Sequence, residues 1–287
     1  MCNDRTKGED RGLVSFGIKT AQPGATFEEL LAFWTAAEQI GFGSAWLHDH
    51  LTPLPDQSLP SLEAWTLLSA LAARTERMRI GVLVTDNSLR HPGMLAREAV
   101  TVDQISHGRL EFAIGAGNPR SIIDYQGYGI TTSSTGERIS KLEEALQIFK
   151  ALWTRESVTF QGRFYRLEEA RPAIWPAQQP HPPIWIGGSG NRVLRLTARH
   201  ADAWNFTGPR ERFAERVTYL KEYMERIGRD PAGFPISAQF EVEGKSVNQL
   251  RTEVDAYVAA GATTLMAIYH APYAVTDLEP AARAFFG

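Results

Sequence analysis

Short apolar runs rich in β-branched and aromatic residues alternate along this chain with stretches whose apolar residues recur every three or four positions, the periods of strand and helix. The strand pattern falls at 13–19, 44–47, 78–84, 109–114, 183–186, 201–205, 235–242 and 263–269. The helical pattern falls between them, at 28–40, 62–74, 92–106, 137–153, 192–200, 211–227 and 247–260, with a last helix near 279–285. In the first of these, Leu30, Leu31, Phe33, Trp34, Ala37 and Ile40 share one face. Thr26 and Glu29 are spaced for a capping box, and Gly41 suits a left-handed stop. Eight strand-then-helix repeats with right-handed crossovers close most simply into an α/β fold of the (β/α)8 TIM-barrel type; an open, doubly wound parallel sheet is the alternative. Trp34, Trp65 and Trp153 lie on apolar helix faces and are expected in the core.

One connection is too long for a plain repeat. Between the fourth helix and the fifth strand, residues 155–182 hold a polar and aromatic segment turning at Gln161-Gly162 and then a proline-rich stretch, which predicts an inserted hairpin followed by irregular chain. Such an excursion forms a lid, a subunit contact or a solvated surface loop. It is expected to line the substrate pocket together with the loops after the first, second, fourth and eighth strands.

The 287 residues suffice for one such barrel, and 43% hydrophobic with 22% charged residues is the composition of a globular protein with a large core. A formal net charge of −3 gives no reason to expect nucleic acid or an anionic membrane as partner. The lone Cys2 forms no internal disulfide, and neither a long apolar span nor a signal-peptide pattern is present, so a reducing cytoplasm is the expected compartment. Residues 1–12 are polar and expected to be loosely ordered, with 13–287 forming a single domain.

Candidate chemistry collects where strands end, because the C-terminal ends of parallel barrel strands face a common mouth. The second strand runs straight into His48-Asp49-His50. Two imidazoles at alternate positions fit a metal-dependent hydrolase, yet no further ligand set follows later strands, so no metal site is expected. After the third strand, Arg90 either reaches an anion at the mouth or is a plain surface residue. The glycines of Gly115-Ala116-Gly117 let a planar ring lie against backbone, although Pro119 and Arg120 spoil a dinucleotide fingerprint. The fifth strand empties into Gly187-Gly188-Ser189-Gly190 and a helix start at Asn191-Arg192. Backbone N–H groups and the positive helix end favour a phosphate there, with Arg192 adding charge; the alternative is a turn that needs glycine for geometry only. Gln22 after the first strand, Trp204 ending the sixth and Gln239 in the seventh point to the mouth if the registers are right.

Taken together in order and spacing, these segments resemble the luciferase-like monooxygenase superfamily, most closely its branch that uses the deazaflavin coenzyme F420. The marks are Phe16-Gly17-Ile18-Lys19-Thr20, Trp46-Leu47-His48-Asp49-His50, Arg90-His91-Pro92, Ser106-His107-Gly108-Arg109-Leu110-Glu111, Pro183-Ile184-Trp185-Ile186-Gly187-Gly188 and Ala201-Asp202-Ala203-Trp204-Asn205. The resemblance implies F420 in the mouth and a hydride transferred between the reduced deazaflavin and an activated C=C or C=N bond of a small organic substrate. His50 is then the proton donor or acceptor and Asp49 its neighbour beside the ring. It also implies a non-prolyl cis bond around Val82-Leu83-Val84 against the ring, phosphate held by Gly187, Gly188, Ser189, Gly190 and Arg192, further cofactor contacts at Gly117 and Asn118, and a homodimer; Gln22 and Trp204, from their places at strand ends, are the candidate substrate contacts. An FMN-dependent monooxygenase using oxygen, or a barrel that binds a flavin without turnover, are the alternatives within the same fold. The chain departs from the pattern at Gly117-Asn118-Pro119-Arg120-Ser121, where sugar-phosphate dehydrogenases of the superfamily carry an acidic glutamate, so that substrate class is not expected.

Overall fold

A computed structural model describes residues 14–287; Leu13 and the expected N-terminal segment lie outside the described residues. The chain alternates β1 (Ser15–Thr20), α1 (Phe27–Ile40), β2 (Ser44–Leu47), α2 (Ala64–Ala72), β3 (Arg79–Val82), β4 (Thr85–Asp86), α3 (Pro92–Ile105), β5 (Leu110–Gly115), α4 (Ser121–Gly127) and α5 (Thr135–Thr154). It continues with β6 (Val158–Gln161), β7 (Arg166–Ala170), β8 (Ile184–Gly187), α6 (Asn191–His200), β9 (Ala203–Asn205), α7 (Phe213–Arg226), β10 (Ile236–Glu241), α8 (Val247–Ala259), β11 (Thr264–Tyr269) and α9 (Glu279–Phe285).

All pairings around the sheet are parallel, and β3 joins β5 to close the ring β1-β2-β3-β5-β8-β9-β10-β11, giving the (β/α)8 barrel and excluding the open sheet. The run 78–84, read as one strand, is broken: β3 stops at Val82, the Leu83–Val84 peptide is cis, and β4 resumes the pairing with β5. The expected cap of α1 is present, with Glu29 N–H donating to Thr26 Oγ1, Thr26 N–H to the Glu29 carboxylate, and Gly41 at φ +114°.

Inside the ring, Trp46, Leu83, Ala113, Trp185, Ala203 and Met266 fill the lumen, with the two indoles edge to face at 5.3 Å. Glycine at position 81 makes this plug possible, since a Cβ there would lie 2.6 Å from the Trp46 ring. Trp34, Trp65 and Trp153 are buried between helices and barrel, as their spacing predicts. Because the lumen is solid below, the mouth at the strand C-termini is left as the open end. Among the described residues no helix is long and apolar enough to cross a membrane.

The inserted hairpin exists as antiparallel β6 and β7, its turn capped by Glu144 accepting from the Arg163, Phe164 and Tyr165 amides. The expectation that 155–182 lines the pocket is not met. The segment follows a helix and precedes a strand, so both its ends lie at the N-terminal face of the barrel. There Gln178 bonds Asp103, the Leu110 carbonyl and Arg79, and Gln104 donates to the Trp175 carbonyl, tying the proline-rich stretch beneath the strands.

Candidate active site

The mouth encloses a cavity of about 660 Å³ with two chemically different walls. One is nearly free of side chains. Gly115, Gly117, Gly187 and Gly188 bring bare backbone to the surface, and Val84 stands between the two strands that carry them. A Cβ on Gly115 would meet Val84 at 2.8 Å and one on Gly187 would meet it at 2.7 Å, so glycine at both lets Val84 pack flush against the backbone of this wall. Gly188 holds φ +124°, where an L side chain is strained. Its carbonyl accepts from Trp204 Nε1 at 2.7 Å and its amide donates to the Asn205 carbonyl, which fixes the turn. Helix α6 then starts at Asn191 with no side-chain cap, so its positive end is open to an external anion.

The opposite wall is polar and comes from β1, β2, β10 and β11. It presents Lys19, His48, Gln239, Glu241 and His270. Lys19 is 6% exposed, and its Nζ donates to Gln239 Oε1 at 2.8 Å. Burial lowers its pKa to about 8, opposed in part by Glu241. His48 is pushed well below the usual imidazole range, first by burial and then by Lys19, His50 and His270, so it is neutral at pH 7. Its Nε2 is buried without a partner. Glu241 is held by His270 Nε2 at 3.1 Å, and that contact raises the His270 pKa.

Lys19 carries a testable stability consequence. Between pH 8 and its ordinary value the unfolded chain binds a proton that the folded chain does not, so stability rises with pH across that window and the penalty is fully present below it. Lys19→Met removes the penalty. A gain of roughly 1–3 kcal/mol at pH 7 is expected after allowing for the lost Gln239 bond, fading toward pH 10. Urea unfolding at both pH values measures it; a variant no more stable than wild type at pH 7 would overturn the assignment.

Between the walls lies His48-Asp49-His50. Asp49, 4% exposed, is locked: Arg90 grips both carboxylate oxygens at 2.7 and 2.9 Å, and the Asp86 amide adds a third bond at 2.9 Å. Burial raises the Asp49 carboxyl while Arg90 pulls against that shift; Arg90 itself is held as a cation by Asp49 and Glu63. His50 faces the cavity with Nδ1 3.1 Å from Asp124 Oδ2, and Asp124 Oδ1 accepts from the Thr52 amide at 2.6 Å. Asp86 accepts from Tyr125 O–H at 2.7 Å, so α4 braces both strand ends.

Several sequence expectations meet different surroundings. Arg192 turns outward, donating to the Gly136 carbonyl and Ser140 Oγ on α5, and does not join the phosphate turn's cavity. Gln22 does not line the cavity; its amide clamps the His48 backbone through two bonds. Trp204 is fully buried behind the turn and supports Gly188 from outside the cavity. Val82 is buried in the strand, leaving Leu83 and Val84 at the surface of the cavity. Asn118 lines the cavity but spends Oδ1 on the Arg120 amide, opening α4. Ser189 and Gly190 extend the turn past the cavity wall that Gly187 and Gly188 form. Arg90, read as an anion site or surface residue, is neither. Lys19, Asp124 and Tyr125 give no local signal in the sequence: Lys19 sits in an apolar strand run, and α4 is too short for periodicity to show. Among the described residues no group of three or more His, Cys, Asp or Glu side chains is placed to hold a metal ion.

The family model described as luciferase-like monooxygenase matches residues 13–284. An F420-dependent glucose-6-phosphate dehydrogenase of Microbacterium testaceum is 34% identical over 220 residues, covering 75% of this chain and 64% of that protein. A phthiodiolone/phenolphthiodiolone dimycocerosates ketoreductase of Mycobacterium sp. is 30% identical over 266 residues, covering 84% and 68%. The chain thus spans less than two thirds of the length of the Microbacterium relative and 68% of the Mycobacterium one. In fold it is similar to an F420-dependent secondary alcohol dehydrogenase bound to an F420-acetone adduct, with TM-score 0.84 at 17% identity over 95% of this chain and 98% of that one. It is similar also to the coenzyme F420 dependent tetrahydromethanopterin reductase of Methanopyrus kandleri, with TM-score 0.79 at 16% identity over 94% and 98%. The match of the family model over nearly the whole chain shows that the chain belongs to the luciferase-like monooxygenase family.

Proposed function

We propose that this protein is an F420-dependent oxidoreductase that passes a hydride between the deazaflavin and a small organic substrate. The observation that carries the reading is the cavity wall of bare backbone at Gly115, Gly117, Gly187 and Gly188 with Val84 packed against it, a flat surface suited to one face of a planar ring. Gly188 and the uncapped start of α6 would hold the cofactor phosphate, with Gly117 and Asn118 along the ring's edge. Bound there, F420 supplies an obligate two-electron hydride carrier; the chain supplies position, water exclusion and proton handling. The names of similar proteins, dehydrogenase and ketoreductase among them, support redox chemistry at carbon. The acceptor inferred from the sequence is an activated C=C or C=N bond, and the lack of an acid at Asn118-Pro119-Arg120 argues against a sugar phosphate. We also propose that the protein is a cytoplasmic homodimer.

His50 is the proposed proton donor or acceptor, with Asp124 as its positioning residue and Asp49 as the anchor of its backbone. Asp124→Asn keeps the shape of the contact but removes its charge. It is expected to lower kcat about 10-fold while leaving F420 affinity within about two-fold. Steady-state reduction of an enone and ketone panel, beside an F420 titration, reads the two effects separately; equal loss of both would mean that Asp124 shapes the cofactor slot instead. The reading as a whole is tested by titrating the purified protein with F420 and with FMN.

A further inference from the structure

The polar wall has more chemistry than a cofactor slot requires. Lys19 ends β1 and is almost completely buried, yet among the described residues it forms no ion pair; its single direct partner is the neutral amide of Gln239. An ammonium has three N–H donors, so two remain for something in the cavity. On the neighbouring strand end His48 offers a buried Nε2 with no partner, and both residues line the same space opposite the glycine wall. Glu241, the carboxylate whose field reaches Lys19, is hydrogen-bonded to His270 instead. A buried, unpaired cation beside an unpartnered imidazole is costly to keep in a folded protein unless a ligand completes it.

Building on the proposed hydride transfer, we propose that Lys19 and His48 form an oxyanion subsite, so that the substrate is a carbonyl compound or an alkene conjugated to a carbonyl, with Lys19 as the group that protonates its oxygen. Hydride arrives at the carbonyl carbon, or at the far alkene carbon; the displaced π pair moves onto oxygen. The Lys19 N–H bond breaks as the O–H bond forms, giving an alcohol or an enol, and the lysine amine regains a proton through water in the mouth from His50, the proposed proton donor, which is recharged from solvent. In the oxidative direction the neutral amine takes the hydroxyl proton as hydride leaves. Burial has tuned this acid toward working pH, where general acids act most effectively. The charged and titratable groups facing Lys19 are Glu241 from β10, His270 after β11 and His48 after β2. A simple imine, which gathers no charge on oxygen, gains nothing from this wall.

Acetate serves as a stable oxyanion probe. Protein carrying ¹³C-labelled lysine is titrated by NMR with and without acetate, and with and without F420, the Lys19 signal being assigned by its absence in Lys19→Met. The expected result is a Lys19 pKa near 8 that rises by at least about one unit with acetate, together with at least ten-fold weaker acetate binding in Lys19→Met and unchanged F420 affinity in that variant. An ordinary lysine pKa, a pKa that acetate does not move, or acetate affinity equal in wild type and variant would overturn the subsite. Lys19→Arg, which keeps a cation at the position, supplies the same assignment if Lys19→Met does not fold. Failure of F420 to bind overturns the hydride-transfer reading and the protonation role built on it; an acetate-responsive Lys19 in that same protein would still uphold the oxyanion subsite.

Discussion

Replacing Arg90 with alanine is expected to destabilise the fold by about 3–5 kcal/mol, the scale for removing one partner of a buried ion pair. The Asp49 side chain is 1% exposed and accepts both of its Arg90 bonds there, while Glu63 contacts the same guanidinium and Glu98 lies 3.7 Å from its Nε. Without the arginine, three carboxylates share one poorly hydrated corner. Asp49 then either protonates or pulls away, carrying with it the Asp86 amide that it holds and the backbone of adjacent His50. Lysine will not restore the site fully, because a point charge cannot grip two oxygens and Glu63 in one plane. Asp49→Asn in the Arg90→Ala background should recover part of the loss, since it removes the orphaned charge. Urea unfolding of the three variants is the check. A loss below about 1 kcal/mol for Arg90→Ala would mean that the ion pair is only a surface contact.

The second large effect is on the cofactor. Gly187→Ala adds one methyl group at a position whose backbone is not in the left-handed region, so the chain itself tolerates it. The new Cβ would lie 2.7 and 3.0 Å from the two methyl carbons of Val84, and Val84 is stiff because it branches at Cβ. Gly115 already packs against the same side chain, so the displaced valine has only the cavity to move into. F420 affinity is expected to fall at least about 100-fold, or about 2.7 kcal/mol, while the fold is retained at a cost of about 1–3 kcal/mol for the overpacking. Gly127→Ala, whose added Cβ meets nothing within 4 Å, is the matched control and should bind as wild type does. Equal affinity in both variants would show that this wall does not hold the ring.

The repeats themselves were legible because barrel strands and their covering helices carry different periods, and α1 even announces both its ends through Thr26, Glu29 and Gly41. The interruption of β3 at Leu83–Val84 was not legible from periodicity, since Val, Leu and Val continue the apolar run; family likeness alone suggested it. Helix α4 escaped because seven residues are two turns, and Asn118-Pro119 reads as a turn that in fact opens it. Side-chain direction was the harder limit. Nothing local tells Arg192 to choose the Gly136 carbonyl over the turn beside it, or Trp204 to support Gly188 from behind. The same limit hid Lys19, whose importance comes from what stands near it in space: Gln239, 220 residues on, and His48 across the mouth.

The most direct test of the account is an equilibrium titration of the purified protein with F420 and with FMN, followed by fluorescence under the same conditions. The account predicts micromolar or tighter binding of F420 and FMN weaker by at least ten-fold, with the F420 signal lost in Gly187→Ala. Preference for FMN would contradict it and move the site to oxygen chemistry; binding of neither would mean that the glycine wall is not a cofactor site.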